Sequence, residues 1–420
     1  SGDAEESGLK LFTSYDETDI VSEATYAQTI SEKKRVIYPR KSRIMTTRNP
    51  VTGGTPITEE QAVELRKVVF GCSVSAPKGE WLRTGLVFRE PDQELGYGLK
   101  APRNGTRGLL SVIQAHIVKH LLFEKRGKDQ HPRPDMMLKP TRTRQLEVLW
   151  VAIADIVWKI GEKSKCYVVL PQEKVHLPQS HKFLQDGITE RLNIFEFTDF
   201  EDLQIFIKRY IYLQITSGPG SLLILYSAVF TRGIPRVKAD LDIEKGQLVT
   251  SVEEGSHCIV TLMLTGRATP YLHNGVVYVG DEDHYNIQNI HLLKIDMGFL
   301  VWDEGAEAKV EESRQPGSRL KTPSLPVWVT SCAGHYGVLF NTNRELLRNY
   351  HAERRFDLHY YSCGGSHNLL SIDTRYEESL AGGKESSGRE DHTSATPLEK
   401  LIHTKWQDAH VHWTGQAPVA

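Results

Sequence analysis

The sequence predicts an α+β fold in which helices pack around a central mixed sheet. Leu109, Val112, Ile113, Ile117, Leu121 and Leu122 recur close to helical spacing after Gly108, as in a buried helix. Leu146, Leu149, Trp150, Ile153, Val157 and Ile160 line one face of a longer amphipathic helix. The C-terminal half offers short strand-like runs instead: Val276–Val279, Gly298–Trp302, Val327–Thr330, Gly337–Phe340, Phe356–Tyr361 and Leu369–Ile372. This mixture reads as α+β.

Taken in order, residues 1–56 show little hydrophobic periodicity. They carry Lys33, Lys34, Arg35, Arg40, Lys41, Arg43 and Arg48 in a span without acids. This reads as a flexible, basic N-terminal arm, with a nuclear-import or anion-surface patch as the alternative. The folded part, residues 57–416, begins where Thr58-Glu59-Glu60 opens a helix through Ala62, Leu65, Val68 and Val69 that ends at Phe70-Gly71-Cys72. Trp81–Phe88 reads as a short strand. Gly161 is placed to stop the amphipathic helix, and Tyr167–Leu170 is a buried strand candidate. A helix over Leu203–Ile215 leads through Ser217-Gly218-Pro219-Gly220 into Leu222–Phe230, which periodicity allows as strand or helix. Residues 376–396, rich in Glu, Gly and Ser, read as a mobile excursion. The chain returns at Pro397–Trp406 and a terminal strand over Ala409–Trp413.

Composition excludes several classes. A chain of 420 residues can bury a large core, and 25% charged with 39% hydrophobic residues is ordinary for a globular protein. The formal charge of −2 gives no general attraction to nucleic acid or anionic membrane, so neither is an expected partner. Five widely spaced cysteines argue against a disulfide scaffold and for a reducing, intracellular location, cytoplasmic or nuclear. The longest apolar run, Leu222–Phe230, is about half the ~18–20 residues that a spanning helix needs. The polar, acidic start shows no signal peptide; opening on Ser1 rather than Met allows an upstream region to be missing.

The chemistry concentrates in Tyr97–Lys125. A loop with Pro102, Asn104 and Gly105 delivers one side chain to the N-terminus of the buried helix. Cysteine hydrolases present a thiolate in this way, stabilised by free N–H groups and the helix dipole. Here the delivered residue is Arg107, whose charge opposes the dipole by roughly 0.3–1 kcal/mol.

This stretch resembles the catalytic loop of the MINDY deubiquitinases, cysteine enzymes that trim lysine-48-linked polyubiquitin. In the branch of the family's fourth member, that loop reads approximately YG-hydrophobic-x-Q-N-K-G-G-P-C-G-x-L. Laid over Tyr97–Leu110, the family's nucleophilic cysteine falls on Arg107, its oxyanion-hole glutamine on Ala101 and its proline on Thr106, while Gly105, Gly108 and Leu110 match. ADIVWKIG (Ala154–Gly161), Ile295–Leu300, Leu320–Phe340, and ERRFDLHYY with TKWQDAHVHW near the end extend the likeness over roughly residues 57–415. The resemblance implies a papain-like cysteine-protease-type fold and makes ubiquitin or polyubiquitin the candidate partner; no cofactor is expected. It is most like an inactive form of the fourth member's branch.

His335 follows the turn Ser331-Cys332-Ala333-Gly334 and by resemblance matches the family's general-base histidine. Losing the glutamine donor as well would cost about 10²–10³ in rate. No cysteine lies between Cys72 and Cys166, so shifting the alignment restores no nucleophile. Cys332 and Cys72 are the alternative thiols, each read as inert because reactivity needs an electropositive setting. His116 and His120 are spaced to ligate zinc, but HIVKH lacks the intervening Glu of a metalloprotease motif and no third ligand is evident. No metal is therefore expected. Cys363–His367 matches neither a nucleophile elbow nor a metal site, and Gly382-Gly383-Lys384 is no phosphate loop. The expected function is a catalytically inactive deubiquitinase homologue. The alternatives are a residual cysteine hydrolase using another thiol and a purely structural interaction protein.

Overall fold

The structure is a computed structural model. It describes residues 51–414 apart from 78, 125–132, 211–214, 243–245, 282–283, 291–294, 305–314 and 376–394. Most of the basic arm, the 376–396 excursion and the Gly382-Gly383-Lys384 motif therefore lie outside the described residues.

Residues 51–56 belong with the folded part. Val51 is buried, its carbonyl accepts from Gln172 Nε2 at 2.8 Å, and the short β1 (Thr55–Pro56) pairs with residues 193–194. Helix α1 (Glu59–Phe70) starts at a capping box, in which Thr58 Oγ1 accepts from Gln61 N at 3.2 Å and Gln61 Oε1 accepts from Thr58 N at 3.0 Å. It ends at Gly71 with φ 79°, a left-handed conformation that a β-carbon disfavours. Trp81–Phe88 is not one strand: α2 (Glu80–Arg83) is a single helical turn, and only β2 (Val87–Phe88) is extended, paired with β3 (Leu99–Lys100).

Helix α3 (Arg107–Leu122) is buried around almost its whole circumference. Burying each large aliphatic side chain contributes about 1.5–3 kcal/mol, so this helix anchors the larger core. After α4 (Pro134–Met137), α5 (Arg142–Ile160) packs on α3, its N-terminus capped by Thr141. The strands β4 (Cys166–Pro171) and β5 (Leu192–Phe197) pair antiparallel, giving a small sheet ordered β1-β5-β4. The predicted Leu203–Ile215 helix is α6 (Phe200–Tyr210), with residues 211–214 outside the described residues. Leu222–Phe230 resolves as helix, α7 (Gly220–Arg232), buried on all sides against β4. Then follow α8 (Ile234–Leu241), α9 (His257–Thr265) and a hairpin of β6 (Gly275–Asp281) and β7 (His284–Ile290).

The main sheet has six strands in the order β13-β12-β11-β10-β9-β8. In chain order these are β8 (Gly298–Trp302), β9 (Val327–Cys332), β10 (His335–Phe340), β11 (Arg355–Tyr361), β12 (His367–Asp373) and β13 (His410–Thr414). The short α10 (Ser318–Lys321) precedes β9, and α11 (Pro397–His403) precedes β13. Only β8–β9 is parallel, so the sheet is mixed. Its two faces serve different cores. Tyr336, Val338 and Phe340 of β10 join the larger core with α3, while Leu339 joins a smaller one with Trp328, Leu358, Leu370 and Trp406 under α11. The α+β expectation is met, with two main sheets rather than one. Among the described residues, no helix is long and apolar enough to cross a membrane.

Candidate functional site

The site is built where β3, the N-terminus of α3 and the β9–β10 hairpin meet. Leu99 N donates to Gln114 Oε1 at 2.7 Å, and Gln114 Nε2 donates to Tyr97 O at 2.9 Å, so α3 itself clamps the strand that enters the loop. Ala101 is buried and its N–H donates to Cys363 O at 2.9 Å. Asn104 Nδ2 donates to Gly334 O at 3.1 Å, tying the loop to the residue before His335.

The helix start has no side-chain cap of its own, because Thr106 adopts a helical conformation. Its free donors are met from outside. The buried Glu80 carboxylate accepts from Gly105 N at 3.2 Å, Thr106 N at 3.1 Å and Thr106 Oγ1 at 3.0 Å. An anion at the positive end of a helix is favoured by both the dipole and the unpaired N–H groups. Glu80 is not marked in the sequence, since nothing local distinguishes an acid 25 residues before Gly105.

Arg107 turns back on the loop that precedes it. Its Nε donates to Ala101 O at 3.1 Å, and its Nη2 donates to Ala101 O at 2.9 Å and Pro102 O at 3.2 Å. The guanidinium rests on the exposed Gly364, where an added β-carbon would lie 2.8 Å from Cζ. The residues that the resemblance aligns with nucleophile and oxyanion donor are thus joined to one another. They form a closed arginine–carbonyl contact.

His335 opens β10, exposed, as the cross-strand partner of Cys332. Ala333 (φ 50°) and Gly334 (φ 78°) make the two-residue turn between them, a left-handed pair that a tight hairpin requires. The period-two alternation puts Tyr336 on the α3 face and His335 on the face that Cys332 shares with the smaller core. Among the described residues no hydrogen bond or ion pair involves the His335 side chain, so the structure does not bond it to Arg107. The Tyr360 ring closes over Gly337, two residues along β10 from His335, and feels the Arg107 charge.

The thiols are poor nucleophiles where they are near the site. Burial, with Asp303 adding to it, pushes the Cys332 thiol up to about 12. Burial likewise pushes Cys363 up to about 12, against the pull of Arg107 and Arg89. Cys72 is held below its ordinary value by the Ser75 hydroxyl and backbone N–H groups, but it lies past the end of α1, beside the Ser73–Lys182 contact. His257 was not singled out by the sequence. It sits edge-on to Phe299 and Tyr336, its Nε2 2.9 Å from Ser331 Oγ, and burial lowers its pKa.

The two histidines read together as HIVKH part company in the structure. His116 bonds Val112 O through Nδ1 at 2.9 Å, buried inside the helix packing. His120 lies between Glu124 at Nδ1 and Asp155 at Nε2, the latter at 2.8 Å. These three bring ligand atoms within 4.8 Å of one another, so acids do stand beside His120. Burial lowers the His120 pKa but Asp155 and Glu124 raise it further, so the arrangement favours an imidazolium between the two carboxylates.

The loop, the α3 start and the β9–β10 hairpin lie within a region that matches the family model "Deubiquitinating enzyme MINDY-3/4, conserved domain" over residues 66–415. This chain belongs to the MINDY-3/4 family of deubiquitinating enzymes. The probable ubiquitin carboxyl-terminal hydrolase MINDY-4 of Xenopus tropicalis is 33% identical over 374 residues, covering 87% of this chain and 47% of that protein. The probable hydrolase MINDY-4 of Homo sapiens is 31% identical over 377 residues, 88% of this chain and 47% of its own. Ubiquitin carboxyl-terminal hydrolase MINDY-3 of Mus musculus is 24% identical over 319 residues, with 69% and 67% covered. The chain thus spans about half the length of its MINDY-4 relatives. No solved structure matches it.

Proposed function

We propose that this chain is a catalytically inactive MINDY-3/4 deubiquitinase homologue, a papain-like pseudoenzyme that retains a ubiquitin- or partner-binding surface. The pseudocatalytic domain is the unit read as residues 57–416, taking in 51–56, with the basic arm before it. The single observation that carries this reading is Arg107. A guanidinium at the start of α3, bonded to the Ala101 and Pro102 carbonyls, stands where the resemblance expects a thiolate. It cannot attack a carbonyl, and Ala101 has no side-chain donor for an oxyanion. His335 keeps the general-base position without a partner thiol. Binding and chemistry use largely different residues, so losing one need not remove the other.

A residual hydrolase through Cys332 is the second reading, favoured only by its pairing with His335. A thiol held near 12 opposes it.

The test is cleavage of lysine-48-linked polyubiquitin by wild type and by the double variant Arg107→Cys, Ala101→Gln. The two changes are coupled in space, because removing the guanidinium vacates the volume beside residue 101. Inert wild type with a cleaving double variant is the expected result. Cleavage by wild type overturns the reading.

A further inference from the structure

We propose that Arg107 and Arg89, on either side of the Gly364–Gly365 turn, form a receptor for the free C-terminal carboxylate of ubiquitin. The inference rests on the ubiquitin-binding reading above and deepens it.

Arg89 follows β2, and its Nε donates to Tyr361 Oη at 2.8 Å while its guanidinium lies 5.8 Å from the centroid of the Tyr361 ring. Tyr361 Oη in turn donates to Leu99 O at 2.6 Å, so this guanidinium is positioned from the strand that enters the Arg107 loop. An added β-carbon on Gly365 would lie 3.1 Å from Arg89 Nη2, and one on Gly364 would lie 2.8 Å from Arg107 Cζ. Successive α-carbons are about 3.8 Å apart, so the two cations rest on neighbouring links of one turn.

Among the described residues, no carboxylate forms an ion pair with Arg89 or Arg107. Glu80 is turned towards Gly105 and Thr106 beneath the loop. Glu94 and Arg89 push the Tyr97 phenol in opposite directions, up and down, but form no ion pair with each other. Arg107 Nη1 and both terminal nitrogens of Arg89 donate no hydrogen bond to a described residue. Two half-buried guanidinium groups are held in place by carbonyls and a phenol, with no ion pair to a described acid.

Planar N–H forks suit a carboxylate, which can accept two parallel bonds from each. Glycine at both positions of this exposed turn is what lets the two guanidinium groups lie against its backbone, where a side chain would displace them. A terminus carrying a free carboxylate suits the forks; an amide-linked one has lost the charge that they recognise. The receptor is therefore selective for released ubiquitin, or the free end of an unanchored chain, over ubiquitin still conjugated through its C-terminus.

The experiment is calorimetric titration of the full chain with ubiquitin bearing a free C-terminal carboxylate and with C-terminally amidated ubiquitin. Wild type is compared with Arg107→Gln and Arg89→Gln, each checked for an unchanged circular-dichroism spectrum. Wild type is expected to bind the free acid about tenfold or more tighter than the amide, and each variant to bring the two within about twofold. Equal binding of acid and amide by wild type overturns the proposal and leaves the ubiquitin-binding reading standing, as does a preference that survives in both variants. Binding of neither form overturns that reading and the proposal with it.

Discussion

Glu80 is the acid on which the α3 start depends, and replacing it with Gln tests that dependence. Its carboxylate accepts three hydrogen bonds from Gly105 and Thr106 and has little solvent to compensate for a loss. Glutamine keeps one acceptor oxygen but turns an NH₂ towards donors, leaving at least one buried N–H unpaired. A hydrogen bond to a charged group contributes about 1.5–3 kcal/mol, and a stranded buried donor costs about 1–3 kcal/mol. Loss of the favourable charge at the helix N-terminus adds up to ~1 kcal/mol. The contributions share one carboxylate and do not add, so Glu80→Gln is expected to destabilise by about 2–4 kcal/mol. Urea unfolding followed by tryptophan fluorescence reads this directly, since Trp81 is the next residue and its Nε1 donates to Glu253 O at 2.9 Å. A loss below about 0.5 kcal/mol, the usual effect of a surface substitution, would refute the idea that Glu80 caps the loop from outside.

The other predictions follow from buried charges away from the loop. Arg66 and Asp186 pair at 2.9 Å with both side chains fully buried, and Asp186 also accepts from Ile188 N, Thr189 N and Thr189 Oγ1. Asp186→Ala should cost about 3–5 kcal/mol by stranding the guanidinium, and Arg66→Met with Asp186→Ala should cost less than the two single changes summed; denaturant midpoints of the three variants decide this. At His120 burial disfavours the imidazolium, but the hydrogen bonds and charges of Asp155 and Glu124 outweigh it, so its pKa stands above the ordinary value. A raised folded pKa means stabilisation that is complete below about 6.5 and is lost as pH rises through the folded value. Stability of wild type should therefore fall on going upward from pH ~6.5, and His120→Gln should lose that component of the slope. Urea midpoints across the range would show otherwise if the two profiles ran parallel.

What the sequence made legible was local. Thr58 before two acids, Gly71 after the last apolar turn and the periodicities of α3 and α5 each act within one turn of chain, and each marks an element the structure contains. Leu222–Phe230 stayed ambiguous because a helix buried on every side has no polar face to set its period, which is the environment of α7. Trp81–Phe88 was misread because α2 is held by contacts from a distance: Glu80 to the loop and Trp81 to Glu253. The same distinction runs through the site. Arg107, Ala101 and His335 were found through a motif resemblance. Arg89 is tied to the strand entering the Arg107 loop through Tyr361, a partner 272 residues away, which only the fold brings near. HIVKH likewise gave the spacing of two histidines but not Asp155, which approaches His120 from α5.

The most direct test of the central claim is reaction of wild-type protein with a ubiquitin-based electrophile that traps cysteine, read by intact mass and peptide mapping. Burial pushes the Cys332 and Cys363 thiols up to about 12, so both are almost wholly un-ionised at pH 7. Wild type is expected to give no covalent adduct, and the Arg107→Cys, Ala101→Gln variant a single adduct at position 107. An adduct on Cys332, Cys363 or Cys72 of wild type, abolished by serine at that position, would contradict it.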